Sequence, residues 1–236
     1  MKQKKKIICA GAAAVLLLTC VCGADAAAVV GPKWICRTWY YMDDHENDVY
    51  FYNWYAADSS GALYTGWHKI NGVWYYFDPL AWFMYSYYLS EIDGRTYYFY
   101  PSGAMGTGWI NYYGTWYYFN PIASSRYKEG EMVTGWLKDG STWYYLNDSG
   151  AMMTGWYKDG STWYFLKSNG AMAANEWCGG YWLNANGSWT YPYKAEWHKN
   201  SRGWWFGDSS GWYAKKTTQK IDGKNYKFDA AGYWVQ

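Results

Sequence analysis

Cysteine is scarce in this chain. Five are present among 236 residues, and three of them, Cys9, Cys20 and Cys22, fall within the first 26. Cys36 and Cys178 remain, and two thiols make no disulfide framework. Clustered positive charge is also missing after residue 26. The chain carries +2 overall, and the balance after residue 26 falls to −1 because residues 1–26 hold four Lys and one Asp. Scattered charge near neutrality excludes the footprint of a nucleic-acid-binding protein, which gathers Lys and Arg on one face. The three histidines, His45, His68 and His198, stand in unrelated contexts. No Gly-x-Ser-x-Gly, His-Glu-x-x-His or phosphate-binding loop occurs, and nothing points to a pair of catalytic carboxylates. Asp43, Asp44, Glu46 and Asp48, with His45 among them, lack the spacing of an EF-hand loop and read as a solvated loop. The expectation is a non-enzyme with no catalytic residue, no metal site and no cofactor.

Long apolar runs are limited to one. Lys2, Lys4, Lys5 and Lys6 precede an apolar stretch from Ile7 through Val21, and Ala24-Asp25-Ala26 follows with small residues at the positions a signal peptidase reads. This is the pattern of a secretory signal cleaved after Ala26. The run is short for a membrane span, which needs about 20 residues, so no span is expected in the mature chain. Leu, Ile and Val are few, which excludes an ordinary aliphatic core.

Aromatic residues take their place. They make up 24% of the chain, with 20 Trp and 29 Tyr against 8 Phe. They recur in order. Trp67, Trp109, Trp136, Trp156 and Trp197 each follow Gly or Glu, and Trp74, Trp116, Trp143, Trp163 and Trp204 come seven residues later. Two further copies keep the frame without the rings: "YLSEIDGRTYYF" has Leu89 and Thr96, and "TTQKIDGKNYKF" has Thr218 and Asn225. Trp177 opens a shortened copy, "WCGGYWL". The step is 20–22 residues, except for 27 where "PIASSRYKEGEM" is inserted. Upstream, "WICRTWYYM" and "YFYNWYAADSSGAL" look like worn copies. Internal repetition at this period marks a repeat architecture.

Each copy reads as a β-hairpin. Aromatic runs such as Trp74-Tyr75-Tyr76-Phe77 favour strands. Asn71-Gly72, Asp93-Gly94 and Asp222-Gly223 are two-residue turn signals, and Gly140-Ser141 suits the turn with Gly first. With Asn71-Gly72 as the turn, Ile70 faces Val73, Lys69 faces Trp74 and Trp67 faces Tyr76. Side chains alternate along a strand, so Trp67, Trp74 and Tyr76 share one face and Ile70, Tyr75 and Phe77 the other. A lone hairpin is marginal in water, and stacked copies bury each other's faces. The expected fold is all-β, a solenoid of stacked β-hairpins built from ~20-residue aromatic repeats. Residues 1–26 form the signal, 27–62 degenerate repeats, and 63–236 the array with a degenerate C-terminal cap. Cys36 and Cys178, about seven copies apart, are then separated by tens of Å if each copy advances on the order of 5–10 Å. That is too far for a bridge, which needs Cα atoms about 4.4–6.8 Å apart.

"TGWHKINGVWYYFD", "TGWLKDGSTWYYLNDSGAM" and "TGWYKDGSTWYFLKSNGAM" resemble the cell-wall-binding, or choline-binding, repeat of Gram-positive surface proteins. The likeness covers residues 63–236 and, loosely, 33–62. It implies ligand sites between consecutive hairpins, where two tryptophans of one copy, an aromatic of the next and often a Met surround a choline headgroup of teichoic acid. Carried over, Trp136 and Trp143 wall one site, with Phe165 or a nearby ring of the next hairpin as the third wall and Met152 beside them. Trp156 and Trp163 repeat this with Met172. Trp109 and Trp116 look toward Tyr145, Trp67 and Trp74 toward Tyr98, and Trp197 and Trp204 toward the degenerate last copy. The resemblance further implies a secreted protein at the cell wall, bound to choline-substituted teichoic acid or another wall polymer, and admits a homodimer through end repeats. Glucan or host-glycan binding, adhesin-like, is the alternative, since related repeats occur in glucan-binding proteins; an assembly factor with vestigial cages is a third. The residues themselves leave two uses for the tryptophan pairs, core or cage. A quaternary ammonium donates no hydrogen bond and is held by aromatic faces, each desolvated contact supplying about 2 kcal/mol. One three-sided site is therefore near millimolar, about −4 kcal/mol, and several sites on one polymer raise avidity by orders of magnitude.

Overall fold

The computed structural model describes residues 32–42, 48–86 and 88–235. The expected signal, residues 1–26, and Asp43, Asp44, His45 and Glu46 lie outside them. Among the described residues every regular element is a strand, and no helix is long and apolar enough to cross a membrane. The chain divides into two compact units, one through Gly106 and one from Thr107.

The first unit holds three hairpins: β1 (Lys33–Met42) with β2 (Asp48–Ala57), β3 (Gly66–Ile70) with β4 (Val73–Phe77), and β5 (Leu89–Ile92) with β6 (Arg95–Tyr98). The second holds β7 (Gly108–Tyr112) with β8 (Thr115–Phe119), β9 (Gly135–Asp139) with β10 (Thr142–Leu146), and β11 (Gly155–Asp159) with β12 (Thr162–Leu166). It ends in β13 (Glu176–Cys178), β14 (Tyr181–Leu183), β15 (Ala195–Asn200), β16 (Gly203–Asp208), β17 (Thr217–Ile221), β18 (Lys224–Phe228) and β19 (Trp234–Val235). The register of β3–β4 is the one expected: Ile70 pairs with Val73, Lys69 with Trp74 and Trp67 with Tyr76. The turns follow their chemistry. Asn71 and Gly72 both take positive φ, 50° and 83°, as a primed turn requires, whereas Gly140 takes 58° in the turn that places Gly first.

The hairpins stack within each unit through opposite faces. Ile70 and Phe77 pack on Ala56 and Met84 behind them, while Trp67 and Tyr76 pack on Ile92, Tyr97 and Phe99 ahead. Within each unit the residue that ends a hairpin is fully buried, Phe77 and Phe99 in the first and Phe119, Leu146, Leu166 and Leu183 in the second, each 0% exposed. Burying such a side chain contributes about 1.5–3 kcal/mol. After each of these residues the chain turns through a connector that bridges back by one residue, as Leu146 does with Met152 and Leu166 with Met172. Asn147 shapes such a connector, its Oδ1 accepting the N–H groups of Ser149 at 3.0 Å and Ala151 at 2.9 Å. Gly150 suits this place: its φ is +79°, and a Cβ there would run into the Met132 side chain.

The C-terminal segment is tied differently. β13 pairs with β14 and also, in parallel, with β17, Trp177 opposite Ile221, giving a five-stranded sheet in the order β14-β13-β17-β18-β19. The β15–β16 hairpin closes over it, and Trp177, Ala195, Phe206, Ile221 and Phe228 form one cluster. Glu176, 1% exposed, accepts Lys167 at 2.8 Å and lies 3.3 Å from the Lys220 ammonium. Cys178 is buried beside it, and its thiol pKa is pushed up to about 12 by burial, with Glu176 and Asp222 adding to the effect. Cys36 lies on β1, in the first unit.

Candidate functional site: indole pairs between hairpins

The seven-residue spacing puts the two tryptophans of a copy on diagonal positions of one face, and there they stand nearly perpendicular. Ring centroids of Trp67 and Trp74 are 6.2 Å apart at 89°, those of Trp136 and Trp143 6.3 Å at 87°, and those of Trp156 and Trp163 6.4 Å at 84°. The next hairpin supplies a third ring, edge-on to the first indole: Tyr97 at 4.7 Å from Trp67, Tyr144 at 4.7 Å from Trp109 and Tyr164 at 4.8 Å from Trp136. Tyr181 takes that place 5.5 Å from Trp156, joined by Trp189 at 5.9 Å, and Tyr226 stands 4.9 Å from Trp197. The slots are not packed shut. Trp116, Trp143, Trp156 and Trp204 remain 37–43% exposed, against 0% for the residues that end the hairpins.

The third walls are corrected by one residue. Tyr97, Tyr144 and Tyr164, rather than Tyr98, Tyr145 and Phe165, stand against the preceding indoles, Tyr164 being the nearby ring of the next hairpin that the expectation for Trp136 also admitted. A hairpin turns to its predecessor the face opposite its own tryptophans, and a shift of one residue changes the face. Tyr145 instead stands 5.3 Å from Trp136 and stacks on Tyr157 at 3.8 Å, one junction later, and Phe165 stands 5.2 Å from Trp156. Tyr98 packs on Tyr100 at 5.2 Å. The methionines span two junctions. Met152 N–H donates to Trp116 O and Met172 N–H to Trp143 O, one junction earlier than expected, while their side chains run forward onto Gly170 and Gly187. At the last pair Trp197 packs also on Phe228 and Trp234, so the degenerate copy still furnishes rings.

Two polar features were not expected from the sequence. The Nε1–H of Trp109 donates to Asp139 at 3.0 Å, and that of Trp136 to Asp159 at 2.9 Å. In each case the acceptor is the last strand residue before the turn of the next hairpin, so it fixes the indole and brings negative charge to the slot. The same position is Ile92 facing Trp67, so that slot is apolar at this point. Lysines cross-paired with the second indole hold their ammonium over its ring: Lys69 on Trp74 at 5.2 Å, Lys138 on Trp143 at 5.7 Å, Lys158 on Trp163 at 5.6 Å and Lys199 on Trp204 at 5.4 Å. These faces attract cations. Desolvation first, then the hydroxyl of Tyr145, Asp159 and Asp148, raise the Tyr157 pKa, which keeps the ring a neutral wall. Among the described residues no group of three or more His, Cys, Asp or Glu is placed to hold a metal ion.

Comparison with known proteins agrees with this geometry. A choline-binding repeat model matches residues 89–122 and 133–177, and a cell wall binding repeat model matches 65–79. No curated protein matches. Among solved structures, choline binding protein F from Streptococcus pneumoniae is 40% identical over 64% of this chain and 47% of its own, with a TM-score of 0.52. CbpF in complex with ipratropium is 38% identical over 66% of this chain and 48% of its own, with a TM-score of 0.54. The chain thus spans about half the length of these two. CbpJ from Streptococcus pneumoniae TIGR4 is 32% identical over 86% of this chain and 70% of its own, with a TM-score of 0.55. With that identity sustained over most of both chains, and with the repeat frame matched in each unit, the chain belongs to the choline-binding repeat family.

Proposed function

We propose that this protein is a secreted, non-catalytic wall-binding protein that docks on choline-bearing teichoic acid through the slots between its hairpins. The observation that carries the reading is the repeated constellation of two perpendicular, half-open indoles with a tyrosine edge opposite. A trimethylammonium group fits such a slot because it has no hydrogen bond to lose and gains the negative faces of several rings. Asp139 and Asp159 add favourable charge at two of them. The structural relatives that bear the name choline binding protein support the same ligand class.

The test is a titration of tryptophan fluorescence with choline chloride, repeated with dextran. Choline is expected to saturate the signal in the millimolar range and to elute the protein from a choline-substituted resin. A response to dextran with none to choline turns the reading to glucan binding.

A further inference from the structure

The family models leave the β1–β2 hairpin unmatched, and of its three tryptophans, Trp34, Trp39 and Trp54, the first and last are 20 residues apart rather than seven. The strand register removes that difference. Trp34 pairs with Ala56 and Cys36 with Trp54. Trp67 pairs with Tyr76 and Lys69 with Trp74. In both hairpins the indoles occupy the same diagonal of one face; the arms of β1–β2 simply run on to Met42 and Asp48 before the chain turns back.

The partners of the diagonal also match. Tyr75 of the next hairpin presents its edge to Trp34 at 5.3 Å and 65°, as Tyr97 does to Trp67 at 4.7 Å and 63°. Met84 N–H donates to Trp54 O at 2.6 Å, as Met105 N–H does to Trp74 O at 2.8 Å. Trp34 and Trp54 are 36% and 37% exposed, the openness of the slots at Trp143 and Trp156. They line a cleft of about 340 Å³ with Tyr75, Met84, Pro101 and Ser102. One difference favours an outside cation: the place of Lys69 is taken by Cys36, which puts no ammonium over the second indole.

We infer that Trp34, Trp54, Tyr75 and Met84 form a further binding site for a trimethylammonium headgroup. The inference rests on the proposed function, since the ligand class is the same; the site itself is additional to every pair marked by the seven-residue spacing. It extends the ligand-binding array to the first hairpin, and by adding one more contact to a polymer it raises avidity.

Two measurements on the full chain test it. Crystals soaked in (2-bromoethyl)trimethylammonium locate each bound cation by the anomalous signal of bromine. Equilibrium dialysis with radiolabelled choline counts sites in the wild type and in Trp54→Ala. The expected results are a bromine peak between Trp34 and Trp54 and one fewer choline bound per chain in the variant. Peaks between Trp136 and Trp143 with none at Trp34, or an unchanged count in a folded Trp54→Ala chain, overturn the site and leave the wall-binding reading standing. No bromine at any indole pair overturns both. The soaked crystal gives its answer whether or not the variant folds.

Discussion

Trp136 and Trp177 hold the same place in their hairpins and meet opposite fates. Trp136 stands in a slot with Trp143, which is 39% exposed, and Tyr164 supplies the far edge. Trp177 is 3% exposed, with Trp212 at 4.8 Å and Trp182 and Phe206 both at 5.4 Å. The difference lies in what the following chain brings up. After Trp136 comes one regular hairpin, whose tyrosine leaves room beside it. After Trp177 come β15–β16 and then β17, paired back onto β13, and together they fill the space. An indole in this repeat becomes a wall or a core residue according to its successor. The motif alone does not decide between them.

The comparison is broken most severely by truncation. Trp177→Ala opens a large cavity in the C-terminal cluster and is expected to cost about 3–5 kcal/mol of stability. Trp143→Ala, at a half-open slot, is expected to cost less, about 2 kcal/mol, and to remove one choline site. Denaturant unfolding with choline counting on the same samples reads both. Equal destabilisation by the two changes contradicts the division into wall and core.

Glu176 comes next. Its carboxylate joins Lys167, just after the last regular hairpin, to Lys220 of β17. Removing one partner of a buried ion pair costs about 3–5 kcal/mol; because Lys167 and Lys220 keep partial access to water, Glu176→Ala is expected at the lower end of that range. Hydrogen exchange should then rise first in β13 and β17 and leave the β9–β10 hairpin protected.

The sequence made the register legible and the junctions only in part. Period-two alternation and a two-residue turn suffice to set Lys69 against Trp74, because both are local. The third wall needs one further step, namely which face a hairpin turns backward. Alternation already held that answer, since Tyr75-type rings lie opposite the tryptophans, and the family pattern led one residue past it. Trp34 and Trp54 stayed hidden because long hairpin arms stretched their spacing. The core role of Trp177 depends on a parallel pairing with Ile221 that spans a 44-residue separation and leaves no local mark. The connectors were more legible than their Gly-x-Met signature suggests: Asn147, just past β10, and Asp208, the last residue of β16, announce the turn by hydrogen-bonding their own backbone two residues on.

Asp159 sharpens the comparison within the regular junctions. Its carboxylate holds the Trp136 indole and faces the slot, whereas the equivalent Ile92 cannot act so on Trp67. Loss of one such hydrogen bond corresponds to about 0.5–1.5 kcal/mol. Asp159→Ala is therefore expected to cost about that much stability and, by freeing the indole and removing a negative charge from the slot, to weaken choline binding at Trp136 a few-fold. A signal specific to that slot, such as the indole N–H resonance of Trp136, follows it, while the Trp67 resonance should titrate as before.

The smallest effect separates the two regions by pH. The connector after β10 is shaped by the uncharged Asn147, and the one after β16 by Asp208, which accepts Ser210 N–H at 2.8 Å and the Tyr191 hydroxyl at 2.6 Å. Burial alone raises the Asp208 pKa, but the hydrogen bonds from Ser210 and Tyr191 outweigh it and hold the carboxyl below its ordinary value. A carboxylate with a depressed folded pKa contributes stability that is present above its unfolded value and lost as pH falls through the folded one. Acid is thus expected to loosen the C-terminal segment while the Asn147 connector is unaffected, by a modest amount because Asp208 is partly solvated. Unfolding midpoints at pH about 5 and about 3 give the size of the loss, and Asp208→Asn, which keeps an acceptor oxygen without the charge, should shrink it. An identical acid response in the variant assigns the effect to other carboxylates and removes this distinction between the two connectors.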